Sequence, residues 1–476
     1  MSIETIVPGV YIEEDATPAL SVSLGATAVP LFVGNFTPLT SNSSISGKVV
    51  RIAGWLDFTQ LFTVNSSGYS GSVKFISTPP AASSTSAEVP AEGSGTDTGT
   101  ETDGASATSA AADDEDSGAY TYRIDEPEIT STTATLALQL YFQNGGNPCY
   151  VYALADATAG EDLDALLPAM EEVDDITLLV ALDADGTYRE AVYGAVASAL
   201  GQSKGYFLIA DSADGAVPAS VKGTSHVGVY YPSLNVTPGK LSERDVTVTD
   251  YLDASNPTNS VIKTLADLRV VNAEQANKVV ETLTPLIPTV INVPPSAAIA
   301  GIYCKTDRER GVWKAPANVI LNGVSDVSVR VSDDKQGTMN EDGVNVIRYF
   351  SDRGVVVWGA RTQQNDDNWR YIPVRRLFDT AERDIKKAMR PVVFEPNSAP
   401  TWTRVWAAID SYLYGIWQKG GLAGNSPEEA YFVRIGKGIT MTEEDINQGK
   451  MIVQVGMAAV RPAEFIILQF TQNMAQ

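Results

Sequence analysis

Apolar positions along the chain change texture three times. Near the start, Val7-Pro8-Gly9-Val10-Tyr11-Ile12 reads as a strand with proline near its beginning, where an edge position needs no backbone N–H. Ala26–Gly34 (ATAVPLFVG) reads as a small-residue, buried strand, and short strands and turns follow it. From about residue 150 the pattern alternates. Thr177–Leu182, Tyr206–Ala210 and His226–Tyr231 are short continuous apolar runs, and Tyr188–Leu200 has helical spacing, so a sheet covered by helices is expected. Pro294-Pro295-Ser296 opens a helix-like stretch through Arg310, with Pro stopping the preceding strand and Ser296 available to cap the exposed N–H groups.

The last third is the most strongly patterned. Val355–Trp358 predicts a buried strand, and Val374–Met389 predicts a helix rich in charge. Trp402, Val405, Trp406, Ile409, Leu413, Ile416 and Trp417 recur at i, i+3, i+4 and i+7, which places three tryptophans on one buried helical stripe, core rather than contact surface. Strands at Met451–Val455 and Glu464–Phe470 close the pattern. The fold class expected is α/β, with α+β mixing, in several domains.

Length supports the division, because 476 residues exceed one ordinary hydrophobic core. Residues 78–119 contain Pro, Ala, Ser, Thr, Gly, Asp and Glu but no aromatic residue, Lys or Arg. Such a stretch cannot bury enough apolar area to offset its ordering entropy, so it reads as an acidic excursion on the outer surface. The expected divisions are 1–35, 36–149, 150–293 and 294–476, the second β-rich and carrying the acidic stretch, the third α/β.

Charge sharpens this picture. The net charge is −24, yet residues 341–476 hold 16 Lys+Arg against 16 Asp+Glu, so all the excess lies in the first 340 residues. That balance argues against nucleic acid as a partner. It suggests either simple solubility or an acidic water-facing region beside a neutral docking region. No run of about 18 apolar residues is present, and MSIETIVPGVYIEE does not open like a signal peptide, so a soluble protein made in the cytoplasm, without membrane insertion, is expected. Cys149 and Cys304 read as reduced, buried residues, a disulfide being the lesser alternative.

Candidate chemistry adds little. The one histidine, His226, lies in an apolar strand pattern, and no nucleophile can be paired with it from sequence. Clustered metal ligands are absent, Gly436-Lys437-Gly438 lacks the preceding glycine of a phosphate loop, and Asp183-Ala184-Asp185-Gly186 lacks the distal glutamate of a calcium loop. No catalytic, cofactor or metal site is expected. An α/β enzyme or carbohydrate-binding module residing in the middle domain, 150–293, stays open as a reading at this point.

Several segments carry a resemblance. Pro8-Gly9-Val10-Tyr11-Ile12-Glu13-Glu14, residues 309–318 (ERGVWKAPAN), Gly354–Thr362 (GVVVWGART) and Trp369–Leu377 (WRYIPVRRL) are four of them. Val393–Asn397 (VFEPN), Trp417–Gly424 (WQKGGLAG), Pro427–Phe432 (PEEAYF) and Arg461–Phe465 (RPAEF) follow in order. Together they resemble the contractile tail sheath proteins of phages and phage-tail-like injection particles. Arg434–Gly438 departs from the Cys-Asp turn of many such proteins, and residues 36–293 match nothing specific.

The resemblance implies a non-enzymatic structural subunit that polymerises helically, in many copies and six-fold rings, around an inner tail tube protein. Baseplate and tail-terminator proteins are its further partners. It also implies that both chain ends build the inner domain, 1–35 as an N-terminal arm and part of it, and 294–476 as the remainder with a C-terminal strand arm. Residues 36–149 would be an outer insertion and 150–293 a middle domain. Ile6, Val10, Tyr11 and Ile12 at one end, and Phe465, Ile466, Ile467, Leu468 and Phe470 at the other, are then candidates for strand exchange between subunits, the alternative being that they complete their own sheet. On the charged helix, Arg376, Arg383 and Lys387 fall at i, i+7 and i+11, with Lys386 and Arg390 beside them. They read as a grip on the inner tube or as an ordinary solvated face.

Overall fold

The computed structural model describes residues 20–39, 45, 47–64, 67–79, 120–131, 133–154, 160–183, 185–201, 204–253 and 261–465. The chain divides into two compact units, 1–68 with 132–239 and 289–476, and 69–131 with 240–288. The boundaries expected at 149 and 293 therefore move: residues 36–68 and 132–149 belong to the first unit, and the second is interleaved from two stretches.

The first unit is built on a nine-stranded sheet. In spatial order its strands are Val319–Ile320, Gly354–Val357, Val344–Phe350, Val227–Tyr231, Phe207–Asp211, Leu178–Leu182, Pro30–Gly34, Cys149–Ala153 and Val49–Ile52. The six from Val344–Phe350 to Cys149–Ala153 run parallel, with Phe32 beside Val151 and Val180, and Ile209 beside Gly228. Parallel strands buried on both faces need continuous apolar runs rather than alternation. LLVAL, FLIAD and VGVYY supply them, every residue buried. Leu179, Tyr193, Leu208, Val229 and Val346 share one core cluster. The strand at Gly354–Val357, expected in a separate inner domain, pairs antiparallel with Val344–Phe350 and so extends this sheet.

Three helices of the first unit matter below: α1 (Ser296–Arg310), α2 (Ile372–Met389) and α3 (Ala399–Gln418). α1 begins where the sequence predicts, but Ser296 does not cap it. Ser296 is its first residue, and the buried carboxylate of Asp211 receives both the Ser296 N–H at 2.8 Å and its Oγ–H at 2.6 Å. Cys149 and Cys304 are free and buried. A two-stranded hairpin, β1 (Tyr431–Ile435) and β2 (Val453–Met457), follows α3.

The second unit has its own core. Tyr69–Thr78 is the central strand, parallel to Val246–Thr249 and antiparallel to Thr121–Ser131. Helices Leu265–Val271 and Ala273–Leu283 contribute to a cluster of Val73, Phe75, Val248, Tyr251, Leu268 and Val279. The first helix opens with a capping box in which the Thr264 side chain and Asp267 satisfy each other's backbone N–H groups. Of the acidic excursion at 78–119, all but residues 78 and 79 lies outside the described residues.

Candidate functional site

α2 divides the expected basic face into an inner and an outer part. Pro373 stands at its first turn, where a missing N–H costs nothing. Arg376 points inward. Its guanidinium meets Asp307 at 2.6 and 3.0 Å, donates to the Thr27 carbonyl at 3.1 Å and lies 4.6 Å over the Tyr303 ring. With the Arg376 and Asp307 side chains 3% and 4% exposed, Arg376 cannot touch a partner, which corrects its place among the tube-gripping candidates. Arg383 is half-buried and donates to the Ala26 carbonyl at 3.1 Å. Burial pushes its pKa down against the attraction of Asp384 and Asp379.

Lys386, Lys387 and Arg390 are exposed, and Arg390 pairs with Asp174 at 3.1 Å. With Arg383 they line a cleft of about 260 Å³ that also holds Lys204, Glu171, Asp174 and Asp175. Lys204 is itself paired with Glu171. The outer part of the helix is thus basic but tempered by four carboxylates, these three and Asp384 of the helix itself.

On α3 the buried stripe consists of Val405, Ile409, Tyr412, Leu413 and Ile416, not of the tryptophans. Trp402 and Trp417 are half-buried and Trp406 is exposed. Each indole N–H instead reaches out of the helix: Trp402 to Asn397 Oδ1 at 2.7 Å, Trp406 to the Val433 carbonyl at 3.1 Å, and Trp417 to the Gly424 carbonyl at 3.1 Å. A buried indole N–H without an acceptor would cost free energy, so tryptophan favours the flank of the stripe.

The Trp406 bond lands on the outer edge of β1. Pairing of Tyr431 with Met457 and Val433 with Val455, together with the Ala458 N–H donated to the Ala430 carbonyl, turns the polar groups of residues 431, 433 and 435 outward on β1 and those of 453, 455 and 457 outward on β2. α3 covers the β1 side. Among the described residues nothing pairs with the outward groups of β2, so that edge is open.

Beyond β2 the chain reaches Glu464. Its carboxylate receives the Arg361 Nε and Nη2 at 3.0 and 2.7 Å, the Asn340 Nδ2 at 3.0 Å and the Tyr371 hydroxyl at 3.2 Å. Burial opposes ionisation of Glu464, but the Arg361 and Asn340 hydrogen bonds outweigh it and hold the carboxyl below its usual range. Three of the motif segments therefore meet at one anchor: GVVVWGART through Arg361, WRYIPVRRL through Tyr371, and RPAEF through Glu464. Phe465, the next residue, is 71% exposed. The other strand-exchange candidates, Ile6, Val10, Tyr11, Ile12, Ile466, Ile467, Leu468 and Phe470, lie outside the described residues.

Two places invite a catalytic reading. Ser225 Oγ lies 3.3 Å from His226 Nδ1, and His226 Nε2 lies 3.3 Å from Asp379 Oδ1. Sequence reasoning missed this string because Asp379 is distant in the chain. Ser225 is buried, however, and Asp379 is held by Arg375 at 2.7 Å, so the serine is not presented to a substrate as a nucleophile must be. Open parallel sheets receive ligands at the carboxyl ends of their strands. Here Phe36, packed on Phe58 and Phe62, and Tyr188, donating to the Leu154 carbonyl at 2.8 Å, occupy that end beside Gly34 and Leu182. Beside Asp211 it opens instead into a small cleft of about 140 Å³ lined by Arg189, Glu190 and Asp214. Among the described residues no group of three or more His, Cys, Asp or Glu could hold a metal ion, and no helix is long and apolar enough to cross a membrane.

Residues 251–363 match the central domain of the phage tail sheath protein family, and residues 364–473 match its C-terminal domain. The tail sheath protein of Vibrio phage KVP40 is 29% identical over 188 residues, 37% of this chain and about a quarter (26%) of that protein's length. Solved structures cover far more. A chain of the helical sheath of the anti-feeding prophage in its contracted state is 49% identical, with a TM-score of 0.70 over 98% of this chain and 100% of the other. A chain of the six-fold symmetrised baseplate of the same particle is 50% identical over 99% and 100%, with a TM-score of 0.68. The contracted sheath complex of an extracellular contractile injection system is 35% identical over 99% of each chain, with a TM-score of 0.65. The chain belongs to the tail sheath family of contractile injection systems.

Proposed function

We propose that this chain is the repeating subunit of a sheath that polymerises helically around an inner tube and contracts to drive that tube through a target envelope. Near-complete coverage at 49% identity to a contracted helical sheath is the observation that carries this reading. A nucleotide is not required. If contracted packing buries more surface than extended packing, a sheath assembled on its tube is a metastable filament, and an identical interface repeated with rotation and rise makes such a filament.

Two surfaces serve it. The open edge of β2 accepts an extended terminal segment from a neighbouring copy, either the one containing Ile6, Val10, Tyr11 and Ile12 or the one following Phe465. Main-chain pairing of this kind persists while the bodies rotate. The outer end of α2, with Arg383, Lys386, Lys387 and Arg390, faces the inner tube. Exposed ion pairs of about 0–1 kcal/mol each hold in number and still release. Baseplate and terminator proteins cap the filament, and the subunit is made in the cytoplasm before joining the particle.

Negative-stain microscopy of the purified full chain is the direct test. Wide hollow tubes of helically offset rings are expected; monomers stable across salt and concentration would sink the sheath reading. Deleting residues 1–15 or 466–476 should abolish long tubes where the deleted segment is the one that pairs with β2, and spare them where it is not. Lys386→Glu with Lys387→Glu should spare sheath formed alone and remove sheath from the tube.

A further inference from the structure

A second positive surface lies away from α2. Arg310, at the end of α1, meets Lys314, Lys419 and Arg461 around a cleft of about 320 Å³ floored by Trp313 and Pro462. All four cations are exposed, none has an ion-pair partner among the described residues, and no carboxylate lines the cleft. In a chain of net charge −24, four uncompensated cations converging on one cleft call for an acidic occupant.

We infer that the cleft receives Glu13, Glu14 and Asp15 of a second copy of this chain, and that this contact fixes the register and direction of the strand pairing on β2. The inference rests on the strand-exchange reading above and specifies it. The cleft continues the open edge. Past Met457 the chain stays extended, with the Ala458 carbonyl accepting from the Ala423 N–H at 2.7 Å and Leu422 bridged to Ala459, before it reaches Val460 and Arg461 at the cleft. The N-terminal segment has the matching order, an apolar stretch from Ile6 to Ile12 followed at once by the acidic triplet. Set parallel to β2 with Ile6 beside Val453, Val10 falls beside Met457 and Glu14 beside Arg461. An antiparallel setting carries the acids away from the cleft. Strand pairing alone leaves register weakly specified, because main-chain hydrogen bonds repeat every two residues. A charge contact at one end removes that degeneracy.

The test is assembly of the full chain, measured as the protein concentration needed to form tubes at about 0.15 M salt. Glu13→Lys with Glu14→Lys should raise that concentration by roughly tenfold, and Lys419→Glu with Arg461→Glu should do the same. Combining all four changes should restore it to within about threefold of the original. Cysteines introduced as E14C and R461C should join copies into a ladder of disulfide-linked multimers on oxidation. Linkage within one chain, or no linkage in assembled tubes, overturns the assignment to a second copy in this register. Deleting residues 1–15 separates the two ideas. Tubes that persist without them remove the pairing of the N-terminal segment, and the inference with it, and leave the segment following Phe465 as the occupant of the edge. Tubes lost on deletion but normal in the Glu13→Lys, Glu14→Lys chain remove the charge contact and leave the pairing intact.

Discussion

Arg376 shows what spacing along a helix can and cannot say. It lies on the same helical face as Arg383 and Lys387, but the end of α2 that carries it is packed against α1, so one face begins in the interior and ends in water. Its pair with Asp307 is a buried ion pair, and removing one partner strands the other charge. Arg376→Met should therefore cost about 3–5 kcal/mol, and adding Asp307→Asn should recover most of the loss. Thermal unfolding of the soluble subunit reads both; a mild loss in the single variant would mean that Asp307 finds another partner. Phe394 is the converse case. Val392 to Glu395 form a tight turn closed by the Glu395 N–H on the Val392 carbonyl at 3.1 Å, with Phe394 at φ 75° and its side chain fully exposed. That third turn position favours glycine, and a bulky residue there is strained. Phe394→Gly should stabilise the isolated subunit by up to about 1 kcal/mol, from relief of a left-handed backbone worth about 1–2 kcal/mol, and weaken polymerisation if neighbouring copies use the ring. Phe394→Ala keeps the strained turn and should lose assembly without gaining stability. Tubes of unchanged yield from both variants would leave the ring without a role.

Elements were legible where burial is complete. LLVAL, FLIAD and VGVYY could be read as strands because a parallel sheet covered on both faces demands continuous apolar runs. α2 could be read as a charge-rich helix, although the burial of Arg375, Arg376, Asp379 and Asp384 on it could not. Spatial neighbours were not legible, since pairing of Val344 with Val229 joins segments more than a hundred residues apart by main-chain bonds that leave no trace in side-chain pattern. The open edge of β2 was equally hidden. It contrasts with Thr121–Ser131, an edge strand that carries Pro127, a bulge opposite Val73 and Glu126 at φ 46°, all devices that discourage pairing. The capping of α1 by Asp211 was missed for the same reason as the sheet order, the partner being 85 residues away. Burial, opposed by Arg189 and the Ser296 hydrogen bonds, pushes the Asp211 carboxyl up from 3.8 to about 6. The folded state therefore holds this proton more tightly than the unfolded chain, so the group's contribution to stability is greatest below pH 4 and is lost as pH rises to about 6. Asp211→Asn keeps an acceptor for the Ser296 N–H and should remove that slope, on the order of 2 kcal/mol across the window. Denaturant unfolding of both chains at pH 4 and pH 7 measures it; equal slopes in the two would show that Asp211 does not titrate there.

At the scale of the molecule, the separation of duties lies between two units rather than between two halves of the sequence. The first unit holds the open β2 edge, the Glu464 anchor, the outer end of α2 and the four-cation cleft. The second unit, with its own core, holds 19 Asp+Glu against 7 Lys+Arg, half of the net charge of −24. If assembly is the work of the first unit alone, the second is dispensable for it. The connections permit the experiment. Tyr69 pairs with Ser131, so the chain leaves and re-enters at adjacent points, and Val236 pairs with Ile291 a few residues from the second crossing at Gly239 and Thr289. Replacing 69–131 and 240–288 with short Gly-Asn turns should leave a folded chain that still forms tubes. It should also be less sensitive to salt, because like charge repels between copies most strongly when unscreened. Removing only one of the two stretches should fail, since each supplies part of one core and leaves the other's apolar face exposed. A doubly excised chain that folds, by circular dichroism and a cooperative melt, yet forms no tubes would place an essential contact in the second unit. Tubes of normal pitch would assign polymerisation to the first.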